Sequence, residues 1–419
     1  MALSLEVPVD GSSPTAPAVL ADRRIRHGTP AFRRTNLALF SSGFATFGLL
    51  YCVQPLMPAF SRAFNVDAAA SSLSLSLTTG VMAVAMLFAG AMSDAWGRKP
   101  IMLASLLGSS VLVLLTAMAP NWTSLLVLRA MLGLTLAGLP AVAMTYLSEE
   151  VHGESIGYAM GLYIGGNAIG GMSGRILSGF AADHASWRVA VGAIGALGLV
   201  AAFLVARGLP PSLHFQKRRA HPRVLAEAFV SLWRDKGLPW LFAEGFLLMG
   251  AFVTIYNYVG YRLLAPPFSL SQSHVGAIFM VYLVGVVGSA WIGSIAGRLG
   301  RRRVLWATLA MMLAGVALTA SGSLWAIVAG IAVMTFGFFG GHSIASSWVG
   351  NRAPSAKAHA SSFYLFSYYM GSSIAGSLGG TAWTHGGWNG VAGYVAVLVV
   401  LGLGIALKLR RLTPSASAS

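Results

Sequence analysis

The sequence predicts an all-α membrane protein: twelve transmembrane helices in two pseudo-symmetric six-helix bundles. Three observations predict it. Of 419 residues, 56% are hydrophobic and only 10% charged, with a mean hydropathy of +0.71. A soluble domain carries about 25% charged residues, so lipid must solvate much of this surface. Apolar runs of roughly 20 residues, the length that crosses the hydrocarbon as a helix, recur along the chain, whereas an open sheet would leave its edge groups unsatisfied there. Finally, GAMSDAWGRKP (Gly90 to Pro100) returns 203 positions later as GSIAGRLGRRR (Gly293 to Arg303). Each copy closes one apolar run and precedes another, as if one membrane-embedded half had been built twice.

Residues 1–35 are rich in Pro, Ser and Arg and lack an apolar h-region, so they read as a disordered cytoplasmic tail rather than a signal peptide. Six spans follow within 36–206, at about 37–59, 71–92, 100–119, 123–147, 155–181 and 187–206. The connection 207–237, with HFQKRRAHPR and WRDKG, divides the halves. Within 238–408 the spans are about 238–261, 274–296, 304–321, 325–348, 360–383 and 389–407, and 409–419 forms a second tail. The third, sixth, ninth and twelfth spans are bland and should face lipid. Polar and aromatic residues gather in the others, which should line a wet interior. Tyr51, Gln54, Tyr163, Asn167, Tyr256, Asn257, Tyr364 and Tyr368 are the expected substrate-cavity residues.

Charge sets the expected orientation. Of 28 Lys and Arg residues, 23 fall on segments that share one side, which places both termini in the cytoplasm. The net charge of +16 invites a nucleic-acid partner, but the basic residues sit in short clusters between apolar spans, so none is expected. Cys52 is the single cysteine and lies inside the first span, which excludes an intramolecular disulfide. The sequence contains no G-x-x-x-x-G-K-[ST] for ATP and no H-E-x-x-H for a metal. A primary pump, a membrane enzyme, a metal site and a cofactor are therefore not expected, nor is a signalling module that would make the chain a sensor. A monomer is expected, with a small-molecule substrate, the proton and the bilayer as its partners.

In the repeated loop, Gly90 reads as a small residue for close helix packing. Asp94 ends the second span, Gly97 permits a tight turn, and Arg98 and Lys99 anchor at the membrane face. The second copy keeps Gly293, Gly300 and Arg301 but has Gly297 in place of the Asp. Glu149 and Glu150 end the fourth span, either as a gate paired with Arg98 or Lys99 or as a solvated pair. Arg129 lies in the fourth span, where an unpaired Arg costs roughly 2.5–3.5 kcal/mol or more. It must face a cavity or a partner, or bond to backbone carbonyls. Gly166, Gly170 and Gly174 share one helix face at i, i+4, i+8 and should form a tight seam, expected against the eighth span. Glu244 and His342 are the protonatable groups inside spans that could carry a coupling proton; the alternatives are a snorkelling acid and a structural histidine.

The pattern G-x-x-x-D-x-x-G-R-K resembles the signature loop of the major facilitator superfamily, although Ala95 stands where that family usually has Arg. Arg129 with Gly133 and Pro140 resembles the buried-arginine motif of its drug/proton antiporter branch. GLYIGGNAIGGMSGR (Gly161 to Arg175) resembles the antiporter motif of the fifth span, with Asn167 in the place of Pro and the usual kink in doubt. The resemblance covers the chain from about residue 28. It implies the superfamily fold in a bacterial inner membrane, alternating access, and a substrate site at the midplane between halves. It also implies that Asp94 docks near the start of the eleventh span, where a helix dipole favours an anion, and that Arg129 serves proton coupling. The implied activity is proton-coupled efflux of a small, partly apolar compound, with export of sugars or other polar metabolites as the alternative. Arg129 and Arg175 outnumber Glu244 in the spans, so an anionic or neutral substrate is as credible as a lipophilic cation.

Overall fold

A computed structural model describes residues 24–215 and 230–412. Helix α1 (Pro30–Tyr51) starts from Thr29, whose Oγ1 accepts the Phe32 N–H at 3.1 Å. A 3₁₀ turn at Gln54–Leu56, where Pro55 removes a donor, leads into α2 (Met57–Phe64). Then come α3 (Ala68–Trp96), capped by Asp67, and α4 (Arg98–Ala117). The fourth span is two helices in series, α5 (Trp122–Leu136), opened by an Asn121/Ser124 capping box, and α6 (Gly138–Glu150). Helices α7 (Gly153–His184) and α8 (Trp187–Gly208) complete the first half. The second half holds α9 (Leu238–Leu264), the short α10 (Gln272–Ala277) leading through a 3₁₀ turn into α11 (Tyr282–Leu299), α12 (Arg301–Thr319) and α13 (Leu324–Arg352). Helix α14 (Lys357–Arg411) holds the last two spans, and Gly387 separates them with φ 53° and ψ −141°.

Ten of these stretches are long and apolar enough to cross a membrane. Helix α14 crosses twice, and the glycine-rich α7 is the remaining crossing, which makes twelve among the described residues. The doubt over a kink at Asn167 resolves as an unbroken 32-residue helix, because Asn, unlike Pro, keeps its N–H. The chain is ordered earlier than a tail over 1–35 implies. Ile25 N–H donates to Glu150 O at 2.8 Å, His152 N–H returns to Ile25 O at 3.0 Å, and α1 starts at Pro30. The rest of that expected tail, the basic stretch 216–229 and the final residues from 413 lie outside the described residues.

The repeat recurs in the packing. Gly138 lies against Ser105 and Ile101, and Gly341, 203 positions on, lies against Thr308, itself 203 positions beyond Ser105. The turns of both signature loops are made by glycines at positive φ, +96° at Gly97 and +89° at Gly300, a region other residues rarely enter. The bland spans carry exposed apolar side chains, among them Val111, Leu115, Val200, Phe203 and Val400, as a lipid-facing surface requires.

The seam glycines settle elsewhere than expected. Gly166, Gly170 and Gly174 pack on the backbone of Phe40, Phe44 and Gly48 of α1, in the same half. The α7 contact with the eighth span comes instead from Gly179, where an added Cβ would lie 3.0 Å from Gly276 Cα of α10. The i, i+4, i+8 glycine face is one residue, about 100°, from the face that meets the other half. Helices α9 and α14 pair in the same way, with Gly371 on Phe246.

Candidate substrate cavity and its latches

The interface between the halves is read along one stripe of α7. At the end far from the signature loops, Gly179 is in contact with α10. In the middle, Ile164, Ala168, Gly171 and Arg175 line a cavity of about 360 Å³. Toward the loop-bearing end, Gly157 and Gly161 have nothing within 4 Å of an added Cβ. The halves are therefore joined at one end and parted at the other. Gln54 Nε2 donates to Asn257 Oδ1 at 2.7 Å, Ser61 and Tyr261 share a hydroxyl hydrogen bond at 2.7 Å, and Gln272 donates to Pro55 O. Ser273 N–H donates to Asp183 Oδ2 at 3.2 Å. Gly90 is exposed and meets nothing within 4 Å, so the close packing expected of it is absent where the halves have parted.

Both halves wall the cavity. Helices α1 and α7 supply Phe47, Tyr51, Tyr163 and Asn167, and the second half supplies Phe252, Tyr282, Phe338, His342 and Tyr368. Phe252 and Phe338 stack with centroids 3.8 Å apart. His342 Nδ1 bonds the Tyr364 hydroxyl at 2.9 Å, and its ring centre lies 4.7 Å from that of Tyr368. The surface is thus mostly apolar and aromatic, with a few convergent polar groups, as in small-molecule sites generally.

Of the expected cavity residues, Tyr51, Tyr163, Asn167 and Tyr368 are in the wall. Gln54 and Asn257 are not; Gln54 Nε2 is instead bonded to Asn257 Oδ1 across the halves. Tyr256 is also outside it. Its hydroxyl shares a hydrogen bond with Thr335 at 2.8 Å and its ring stacks on Phe279. Tyr364 sits behind His342. Sequence reasoning left Arg175 out of the cavity set; its place on the stripe of Ile164, Ala168 and Gly171 is the signal that could have found it.

Arg129 is fully buried and outside the wall. Its guanidinium donates to Ser74 O at 2.6 Å, Leu50 O at 2.7 Å and Leu49 O at 3.2 Å, so the backbone-carbonyl alternative is the one observed. Glu244 is also fully buried, which overturns the snorkelling alternative. Among the described residues neither of its oxygens has a hydrogen-bond partner. An added Cβ at the neighbouring Gly245 would lie 2.8 Å from the Tyr364 ring, and one at Gly402 would lie 3.4 Å from Glu244 Oε1.

At the loop-bearing end, Arg98 grips Glu149 with two bonds of 2.8 and 3.0 Å, and reaches Asp94 at 2.6 Å and Ser93 at 2.9 Å. Asp94 is therefore taken up inside its own half rather than docked on the eleventh span. Glu150 pairs with His214 at 3.0 Å instead of with Arg98 or Lys99, and Lys99 donates to Ala206 O and Leu209 O. The second half inverts this arrangement. The positions of Asp94, Arg98 and Glu149 become Gly297, Arg301 and Arg352, which leaves an arginine-lined hollow. Arg352 takes a new partner, Asp235, at 2.5 Å. Burial alone would raise the Asp235 carboxyl, but Arg352 and the Gly237 and Leu238 N–H groups hold it below its ordinary value. Glu149→Ala should leave the buried guanidinium of Arg98 short of its bidentate partner and cost on the order of 1–2 kcal/mol. The melting temperature in detergent checks this, with Glu150→Ala, which leaves the Arg98 pair intact, for comparison.

A family model of the Major Facilitator Superfamily matches residues 39–266 and 247–419. The chain belongs to the Major Facilitator Superfamily. It is 48% identical to the inner membrane transport protein YnfM of Escherichia coli K12, over 92% of this chain and 93% of that one. It is 47% identical to the MFS-type transporter YybF of Bacillus subtilis, over 92% and 96%. A bacterial homologue of the human lysosomal transporter Spinster, inward-facing and unoccupied, superposes with a TM-score of 0.74 over 92% of this chain and 100% of its own, at 15% identity. A point mutant of the nucleoside transporter NupG gives 0.75 over 88% and 99%, at 17% identity. These two share the fold. As a member of the superfamily the chain is a multi-pass membrane protein of the secondary active transporter class.

Proposed function

We propose that this transporter is a proton-coupled exporter of the inner membrane, working by alternating access on a small, partly apolar compound. The observation that carries this reading is the cavity walled by both halves, closed at one end and open at the other. The positive-inside bias puts the open, loop-bearing end in the cytoplasm, so the cavity would load from inside. The aromatic lining suits a partly apolar solute; the rival, a sugar or other polar metabolite, would face a surface that is mostly apolar. His342 in the wall, Tyr364 behind it and Glu244 beyond offer a proton a way between the cavity and a buried acid.

The test is efflux from loaded cells. A protonophore should abolish it, and Glu244→Gln should uncouple it, leaving downhill exchange but no accumulation against a gradient. Efflux that continued unchanged after collapse of the gradient would sink proton coupling. Accumulation that survived Glu244→Gln would remove the acid from the pathway.

A further inference from the structure

Arg175 is 2% exposed and its guanidinium lines the cavity. Its hydrogen bonds run to neutral acceptors, Gln54 Oε1 at 2.6 Å and Gly171 O at 2.7 Å, with the Tyr282 hydroxyl close by. Three rings surround it, Tyr51, Tyr282 and Phe279, with centroids 4.1, 4.8 and 5.0 Å from Cζ. Among the described residues, no carboxylate lines the cavity. Cation–π contacts and carbonyl dipoles make such a charge tolerable, not neutral. The guanidinium presents five N–H donors in a planar fork that matches an oxyanion, and only part of that fork is taken.

The same fork is tied to the closed end. Arg175 Nε–H donates to Gln54 Oε1, and Gln54 Nε2–H donates across the halves to Asn257 Oδ1. Gln54 and Asn257 are 203 positions apart, the repeat offset, so each half contributes the same position to this bond. A carboxylate bound side-on to Arg175 needs the Nε–H edge that Gln54 now holds. Gln54, left without its orienting partner, is free to turn away from Asn257.

Taking the cavity as the transport site, as above, we propose that its substrate class is an organic anion, an oxyanion on an apolar or aromatic body. Arg175 binds the charged group. Binding draws Arg175 off Gln54 and loosens the Gln54–Asn257 bond, one of those that hold the far end shut. The loaded cavity thereby favours opening to the opposite side, and the empty one stays latched.

Three probes of matched shape test the charge: 1-naphthoate, 1-naphthamide and 1-naphthylmethylamine, titrated into the purified full-length protein by tryptophan fluorescence. The anion should bind at least about tenfold more tightly than the other two, a 1.4 kcal/mol preference. Arg175→Lys, which keeps the charge but loses the fork, should weaken the anion about tenfold and leave the amide unchanged; Arg175→Gln should erase the preference. If the Gln variant fails to fold, the probe series on the unaltered protein and the Lys variant still decide. The latch is read by cross-linking Ser61→Cys to Tyr261→Cys in a Cys52→Ser background. 1-Naphthoate should lower the cross-linking yield several-fold, and Gln54→Leu should lower it without ligand. Preference for the amine or the amide, unchanged anion affinity in Arg175→Gln, or a cross-link indifferent to 1-naphthoate would each overturn the proposal. These readouts use no proton gradient, so protonophore-insensitive efflux would defeat the coupling reading and leave this one standing.

Discussion

Arg129→Ala is expected to leave a protein that barely folds. The guanidinium sits where α1, α3 and α5 meet and serves the carbonyls of Leu49, Leu50 and Ser74 at once. The first two lie in the last turn of α1, where helix carbonyls have no partner further along the helix. The substitution orphans Leu50 O, at about 1–3 kcal/mol, whereas Leu49 O keeps the Cys52 thiol at 3.5 Å and Ser74 O keeps the Thr78 hydroxyl at 3.3 Å. The space vacated by a fully buried side chain adds about 2–5 kcal/mol, and the sum reaches the roughly 5–15 kcal/mol of a typical domain. Thr78 Oγ1 bonds Arg129 O at 2.8 Å, a main-chain contact that the substitution keeps, so the loss is confined to the side chain. Arg129→Lys should fall between, because one ammonium cannot span carbonyls on two helices. The melting temperature and yield in detergent measure the effect. A variant as stable as the parent that had lost only its proton dependence would return Arg129 to the coupling role its motif implies.

The twelve spans, the loop charges and the duplication were legible because each is local: a run length, a clustered charge, a repeated string. Contacts were less so. A polar residue in an apolar span can face a cavity or meet a partner on a neighbouring helix, and composition alone does not separate the two. Tyr51 and Tyr368 took the first course; Tyr256 and Gln54 took the second. The offset between Gln54 and Asn257 did hold a clue. Equivalent residues of two related halves can meet only near the axis that relates them, which is where a gate between halves must lie. The glycine face of α7 was visible, but its partner was not, since α1 and the eighth span are both apolar enough to receive it. Glu149 and Glu150 show the same limit at the surface: adjacent acids end a helix, and the roughly 100° between them sends one to Arg98 and the other to His214.

Gly170→Leu should abolish folding where a neighbouring glycine tolerates change. An added Cβ at Gly170 falls on the backbone of Phe44, and those at Gly166 and Gly174 lie 2.5 Å from Phe40 O and 2.7 Å from Gly48 Cα. Backbone cannot swing aside as a side-chain tip can, so α1 and α7 would have to separate along the whole seam. In lipid no hydrophobic gain drives the helices back together; close packing is itself most of the attraction. The expected result is no folded protein in the membrane fraction, and Gly371→Leu, against Phe246 in the second half, should repeat it. Gly161→Ala is the contrast. It lies on the α7 stripe that faces the parted end, has nothing within 4 Å, and should leave the melting temperature unchanged. If Gly161→Ala nevertheless slowed transport in a stable protein, that face must close against the other half during the cycle. If Gly170→Leu folded normally, the seam would not be what joins these two helices.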